Sequence, residues 1–133
     1  MKTAFRFRQI SSELFRVIHR PYTDVTFIGK NKKRRIVSMV VDTGADYSLL
    51  PRKDASLLGI DLAKDCTLYT TYGVGGSQTV YLYMNMKVEL DTLKLTIPVG
   101  FLDSNDIPPL LGRHGFFEVM KACFENHVVY FEK

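Results

Sequence analysis

Val40-Val41-Asp42-Thr43-Gly44-Ala45-Asp46 carries an apolar run straight into an acid, a small hydroxyl and a glycine. The run begins at Ile36-Val37-Ser38-Met39, and its β-branched residues read as a buried strand with Asp42 at its end. A carboxylate in that place is poorly solvated, which suits it to acid–base chemistry. Gly44 lets the backbone turn tightly and approach a ligand closely, and Thr43 supplies a hydroxyl that can pin the loop. Asp-Thr-Gly alone is also an ordinary turn. The exit separates the two readings, because Ala45-Asp46-Tyr47-Ser48-Leu49-Leu50-Pro51 returns at once to apolar residues rather than opening into a solvated loop.

Further along lies Pro109-Leu110-Leu111-Gly112-Arg113-His114-Gly115-Phe116-Phe117, an apolar pair followed by Gly-Arg. With both motifs present in this order, the chain resembles the aspartic proteases, specifically their single-motif, retropepsin-like branch. The resemblance covers residues 21–133 and leaves 1–20 as an N-terminal extension. It implies an all-β fold, the acid-protease closed β-barrel with one or two short helices, acting as a homodimer. It assigns catalysis to Asp42, Thr43 and Gly44 and substrate contact to Ala45, Asp46 and Tyr47. It also implies that Leu110-Leu111 crosses behind the loop as a strand entering a short helix. There Gly112 and Arg113 are structural, the arginine acting as a bidentate partner of Asp46. Tyr47 departs from the family pattern, and its bulky ring is expected to restrict which substrate side chains fit.

Between the two motifs is Tyr72-Gly73-Val74-Gly75-Gly76-Ser77-Gln78. It lacks the Lys-Ser/Thr of a phosphate-binding loop, and no helix pattern follows it. Instead Val80, Leu82, Met84, Met86, Val88 and Leu90 alternate with the period of a half-buried strand, and Cys66 to Tyr72 is rich in strand formers. Glycines between two strands form a hairpin. In the family the corresponding hairpin is a flap over bound peptide, which makes Gly73, Val74, Gly75 and Gly76 substrate-binding candidates.

A chain of 133 residues is one domain, too short for two catalytic lobes. Asp91-Thr92 leads into Leu93 and reads as a hairpin turn. One chain therefore supplies one catalytic carboxylate, whereas hydrolysis by this chemistry needs two, one ionised and one protonated. The simplest source of the second is another copy related by a two-fold axis. Lys121–Glu125 and His127–Lys133 read as a terminal hairpin. In retroviral relatives such strands interleave between subunits, a use that would cover the edge at Val128 to Phe131.

Other segments fit the same class. Tyr22–Ile28 and Arg35–Val41 read as strands joined by a charged turn, and Pro51 to Gly59 as a short helix. Gly115 to Met120 reads as a helical turn or two. Leu93–Leu102 reads as a strand that Pro98 places at an edge or bends, and Asp103 to Pro109 as a loop. Ala4 to Ile10 alternates like a strand. Residues 1–20 are open between an added strand, a dimer contact and a segment removed by self-cleavage.

The net charge of +4 is concentrated in Lys30 to Arg35, a hairpin tip without interleaved aromatics, so no nucleic-acid partner is expected. No apolar run is long enough for a membrane span and no signal peptide is evident. Cys66 and Cys123 lie in apolar strand contexts and are expected as buried free thiols in a reducing, cytoplasmic setting. With His19, His114 and His127 scattered, no metal and no cofactor are expected. The reading is an aspartic endopeptidase acting on peptide or protein substrates. Its alternative is a catalytically weak or inactive peptide-binding or dimerisation module of the same fold.

Overall fold

The computed structural model describes residues 1–73 and 75–133. The chain runs through β1 (Lys2–Arg6), β2 (Arg8–Ser12), β3 (Arg16–Arg20), β4 (Tyr22–Ile28), β5 (Arg34–Val41) and β6 (Ser48–Leu50). Two short helices follow, α1 (Lys53–Leu57) and α2 (Leu62–Asp65). Next come β7 (Thr67–Gly73), β8 (Gly76–Leu90), β9 (Leu93–Leu102), β10 (Leu110–Leu111), β11 (Lys121–Glu125) and β12 (Val128–Glu132).

The main sheet has the order β4-β5-β10-β6-β9-β8-β7, and β4 also pairs with β8 at Thr26↔Glu89, Phe27↔Val88 and Ile28↔Lys87. That second pairing closes the sheet into the expected barrel and leaves the β7–β8 hairpin projecting from its wall. Strand alternation fills the interior. Val25 and Phe27 of β4, Val37, Met39 and Val41 of β5, and Met86, Val88 and Leu90 of β8 point inward with Ile97, Val99 and Phe101 of β9. Ile36, one residue out of phase, stays exposed.

The charged turn between β4 and β5 forms as read, with Asn31 and Lys32 at φ 55° and 57°, and it docks on the end of α1 through Lys30 N–H donating to the Leu58 carbonyl at 2.9 Å. Gly29 lies so close to Leu58 that a Cβ there would fall 2.0 Å from its carbonyl oxygen. The buried Asp54 of α1 is paired with Arg35 of β5, tying the helix to the barrel.

Some expectations need correction. Pro98 is not at an edge, because β9 lies between β6 and β8. Its register shifts opposite Met84-Asn85, so the missing N–H falls beside a bulge, which also turns Met84 out to solvent. Ala4 to Ile10 is two strands, broken at Phe7, whose N–H donates to the His127 carbonyl at 2.8 Å. The turn after β10 starts earlier than Gly115, spans Arg113–Phe117 and is irregular, since His114 is extended and Gly115 has φ 73°.

The C-terminal hairpin forms, with Asn126 and His127 at φ 50° and 59°, but β12 is no edge. It is the middle strand of a three-stranded sheet, flanked by β1 and β11 of its own chain, so both of its edges are already paired. Phe131 reaches from this sheet into an aromatic cluster with Phe5, Phe116 and Phe117, at centroid separations of 6.1, 5.8 and 6.1 Å.

Cys123 is exposed rather than buried, because β11 turns Lys121, Cys123 and Glu125 outward together. Cys66 is half-buried, and burial pushes its thiol up to about 11. The thiolate is the reactive form, so iodoacetamide near neutral pH should modify Cys123 first and reach Cys66 only as the pH climbs towards that value. Peptide mapping showing Cys66 labelled first would contradict this burial. Thr23, on β4, is buried with no hydrogen-bond partner for its hydroxyl among the described residues. Thr23→Val should therefore be neutral or stabilising by up to about 1 kcal/mol in urea unfolding, and a clear loss would show that the hydroxyl is satisfied.

Candidate active site

β5 delivers Asp42 to the barrel's end, and the chain then turns through Thr43, Gly44, Ala45, Asp46 and Tyr47 before re-entering the sheet as β6. The space between β5 and β6 is filled by β10, parallel to β5 at Leu110↔Val40 and Leu111↔Val41 and antiparallel to β6 at Leu110↔Leu49. The loop is thus hung across a strand from the far end of the sequence. Asp42 N–H donates to the Leu111 carbonyl at 3.0 Å, while Arg113 and His114 N–H donate to the Ala45 and Asp46 carbonyls at 3.0 and 2.8 Å. Ala45 N–H closes the turn on the Asp42 carbonyl at 3.2 Å.

Arg113 completes the latch with its side chain. Its Nη2 donates to Asp46 Oδ1 and its Nη1 to the Thr43 carbonyl, both at 2.6 Å. The expected two-pronged grip is present, but it is divided between one carboxylate oxygen and the backbone. Asp46 itself is exposed, so the salt bridge adds little alone and the backbone prong carries the positioning. Among the described residues none donates to the Gly44 carbonyl, the one loop carbonyl from Asp42 to Asp46 left open.

Asp42 is half-buried, not withdrawn from water by its own chain, and forms no ion pair among the described residues. One carboxylate oxygen accepts from Gly44 N–H at 2.9 Å. That bond fixes the carboxylate plane, and a Cβ on Gly44 would crowd the same oxygen at 3.3 Å. Thr43 is exposed, its hydroxyl without a partner among the described residues.

Tyr47 joins the loop to the rest of the site. Its ring packs over Gly100 of β9, where a Cβ would come within 2.9 Å of Tyr47 Cε2 and 2.6 Å of Val80 Cγ1. Partial burial pushes its phenol above the ordinary range, opposed by the Thr71 side chain of β7 and aided by the charge on Asp46. Tyr47 thereby stands between the Asp42 loop and the stem of the glycine hairpin. At the hairpin tip Gly73, Gly75 and Gly76 have open space where a Cβ would sit, and Gly76 has φ 103°, a conformation that favours glycine. The tip stands clear of the body, with Leu68, Tyr69 and Tyr72 exposed along the stem. Val74 lies outside the described residues.

Two contributors escaped the sequence reading. Ser48, fully buried, accepts from Gly112 N–H at 3.0 Å, and Gly100 makes room for Tyr47. A lone hydroxyl in the inward phase of Ser48-Leu49-Leu50 was the available signal for the first, since a buried hydroxyl in a strand needs a partner. Nothing local marks the second. No set of three or more His, Cys, Asp or Glu among the described residues is placed to hold a metal ion.

Gly112 is glycine for a steric reason, because a Cβ would lie 2.4 Å from both the carbonyl carbon and oxygen of Tyr47. Gly112→Ala should lower stability by about 3 kcal/mol or spread the loop, whereas Gly73→Ala, facing open space, should change it by less than about 0.5 kcal/mol. Urea unfolding of the two side by side makes the comparison, and equal effects would disprove the close contact.

Aspartyl protease sequences match residues 24–114, well over half of the chain and inclusive of the loop, β10 and Arg113. A retropepsin-like aspartic protease from Rickettsia conorii is similar in structure, with a TM-score of 0.69 at 17% identity over 98% of each chain. Comparison with curated proteins gives no match. The chain belongs to the aspartyl protease family and has the retropepsin-like fold.

Proposed function

We propose that the protein is an aspartic endopeptidase that works as a symmetric homodimer, with one Asp42 from each copy sharing a single water. The observation that carries this reading is the Asp42 loop. It is clamped from behind by β10 and Arg113, yet leaves its carboxylate half-exposed, and the sequence holds one Asp-Thr-Gly. A two-fold axis beside the loop brings the second acid and buries both.

In this mechanism one Asp42 is ionised and takes a proton from the water while the water oxygen attacks the scissile carbonyl carbon. The other Asp42 is protonated and gives its proton to the carbonyl oxygen, because two carboxylates this close share one proton. As the tetrahedral intermediate collapses, a proton passes to the leaving nitrogen, the C–N bond breaks and an acid and an amine are released. Thr43 braces the paired loops, and the open Gly44 carbonyl accepts a substrate N–H. The hairpin at Gly73 to Gly76 closes over the bound peptide. Ala45, Asp46 and Tyr47 line the cleft, and the Tyr47 ring over Gly100 narrows the space for a substrate side chain.

Asp42→Asn keeps an acceptor for Gly44 N–H, so the fold and the dimer should persist. Digestion of a peptide library followed by mass spectrometry should then show cleavage reduced by about 10²–10⁴-fold or more. Cleavage by this variant at the wild-type rate would end the assignment. Saturable peptide binding by the wild-type dimer without cleavage at any acidic or neutral pH would point to a binding module instead.

A further inference from the structure

β2 and β3 form a two-stranded sheet of their own, in register from Arg8↔Arg20 to Ser12↔Arg16 with Ile10 opposite Ile18. None of its residues is buried, and at the far end Leu14 and Phe15 are 79% and 69% exposed. A lone hairpin is marginally stable in water, and a large apolar pair at its tip opposes solubility. Such an element gains stability when something covers it.

Its root is rigid. Phe7 N–H bonds to the His127 carbonyl, and His19 stacks on the His127 ring at 4.1 Å with 10° between planes. Arg8 lies over the Tyr22 ring at 4.2 Å and donates to Ser38 Oγ at 3.1 Å. The root also lies beside the catalytic loop, because the Pro21 carbonyl accepts from Val41 N–H at 2.8 Å, one residue before Asp42. Five residues per strand give an arm of about 17 Å.

We propose that this hairpin is a dimer arm whose Leu14-Phe15 tip packs on a second copy of the chain. The inference rests on the symmetric dimer of the preceding section. If the axis passes between two Asp42 side chains, an arm rooted at Pro21 starts next to it, and its length carries the tip onto the other subunit. Charge favours the same occupant. Beyond Arg8, which is engaged at the root, the arm carries Arg16 and Arg20 against Glu13, and at the barrel end Asp46 stays 82% exposed although one of its oxygens is bridged to Arg113. By symmetry each subunit gives one arm and receives one.

The test uses the full chain carrying Asp42→Asn, so that cleavage does not confuse the readout. With a photo-crosslinking residue at position 15 and a mixture of light and isotope-labelled protein, the crosslinked peptides should join light to heavy chains. The pair Leu14→Ser and Phe15→Ser should raise the dimer dissociation constant about tenfold or more in sedimentation, with an unchanged β spectrum. Crosslinks confined within one chain, or an unchanged dissociation constant, would overturn the arm. So would transfer of the label only to phosphatidylserine vesicles or only to substrate peptide, which assigns the tip to a membrane or to substrate. With Asp42 restored, a Leu14→Ser, Phe15→Ser chain that still dimerises with an unchanged dissociation constant and still cleaves in an Asp42-dependent way removes this inference alone. Cleavage by a monomer removes the dimeric mechanism with it.

Discussion

The site depends on one backbone constraint, the insertion of Leu110-Leu111 between the strands that enter and leave the Asp42 loop. Without β10 the Asp42 N–H loses its partner, and without the turn that follows it the carbonyls of Ala45 and Asp46 lose Arg113 and His114 N–H. Hydrogen-bonding groups stranded in that way are expensive to bury. With β10 in place, the loop is held by main-chain bonds, which do not depend on side-chain rotamers. Arg113 then adds a planar fork across Thr43 and Asp46. The tight approach of Gly112 to Tyr47 is the steric condition for all of it.

The latch also explains how distant parts of the chain reach the site. Immediately after Arg113 the chain buries Phe116, whose ring meets Phe131 of β12, and Phe131 meets Phe5 of β1. Both terminal strands are thus packed against the turn that grips the loop. On the opposite side, Tyr47 over Gly100 couples the loop to β9 and to the stem of the glycine hairpin. The Asp42 loop, its clamp and the root of the glycine hairpin therefore share one packed unit.

Legibility followed the range of the interactions. The strand that ends at Asp42, the terminal hairpin and the β4–β5 connection depend on local backbone preferences and strand alternation, so they could be read from neighbouring residues, whereas the Leu-Leu-Gly-Arg motif was read through the family resemblance, and the terminal turn lies at Asn126-His127, one residue later than read. The bulge opposite Pro98, the outward side of Cys123 and the break at Phe7 depend on register against another strand. A shift of one residue reverses which face a side chain takes. Ser48 and Gly100 matter only through partners far away in sequence, Gly112 for the one and Tyr47 for the other.

The amino-acid order alone determined the chemistry on offer, one acid with a hydroxyl and a glycine beside it, and a strand motif able to support them, because these are properties of residue type and spacing. The fold alone decided that both edges of β12 are paired within the chain, that Arg113 grips backbone as well as carboxylate, and that the β2–β3 hairpin stands uncovered beside Asp42. The physical reason is that strand pairing and burial are settled between segments far apart in sequence, where neither segment carries a local mark of its partner.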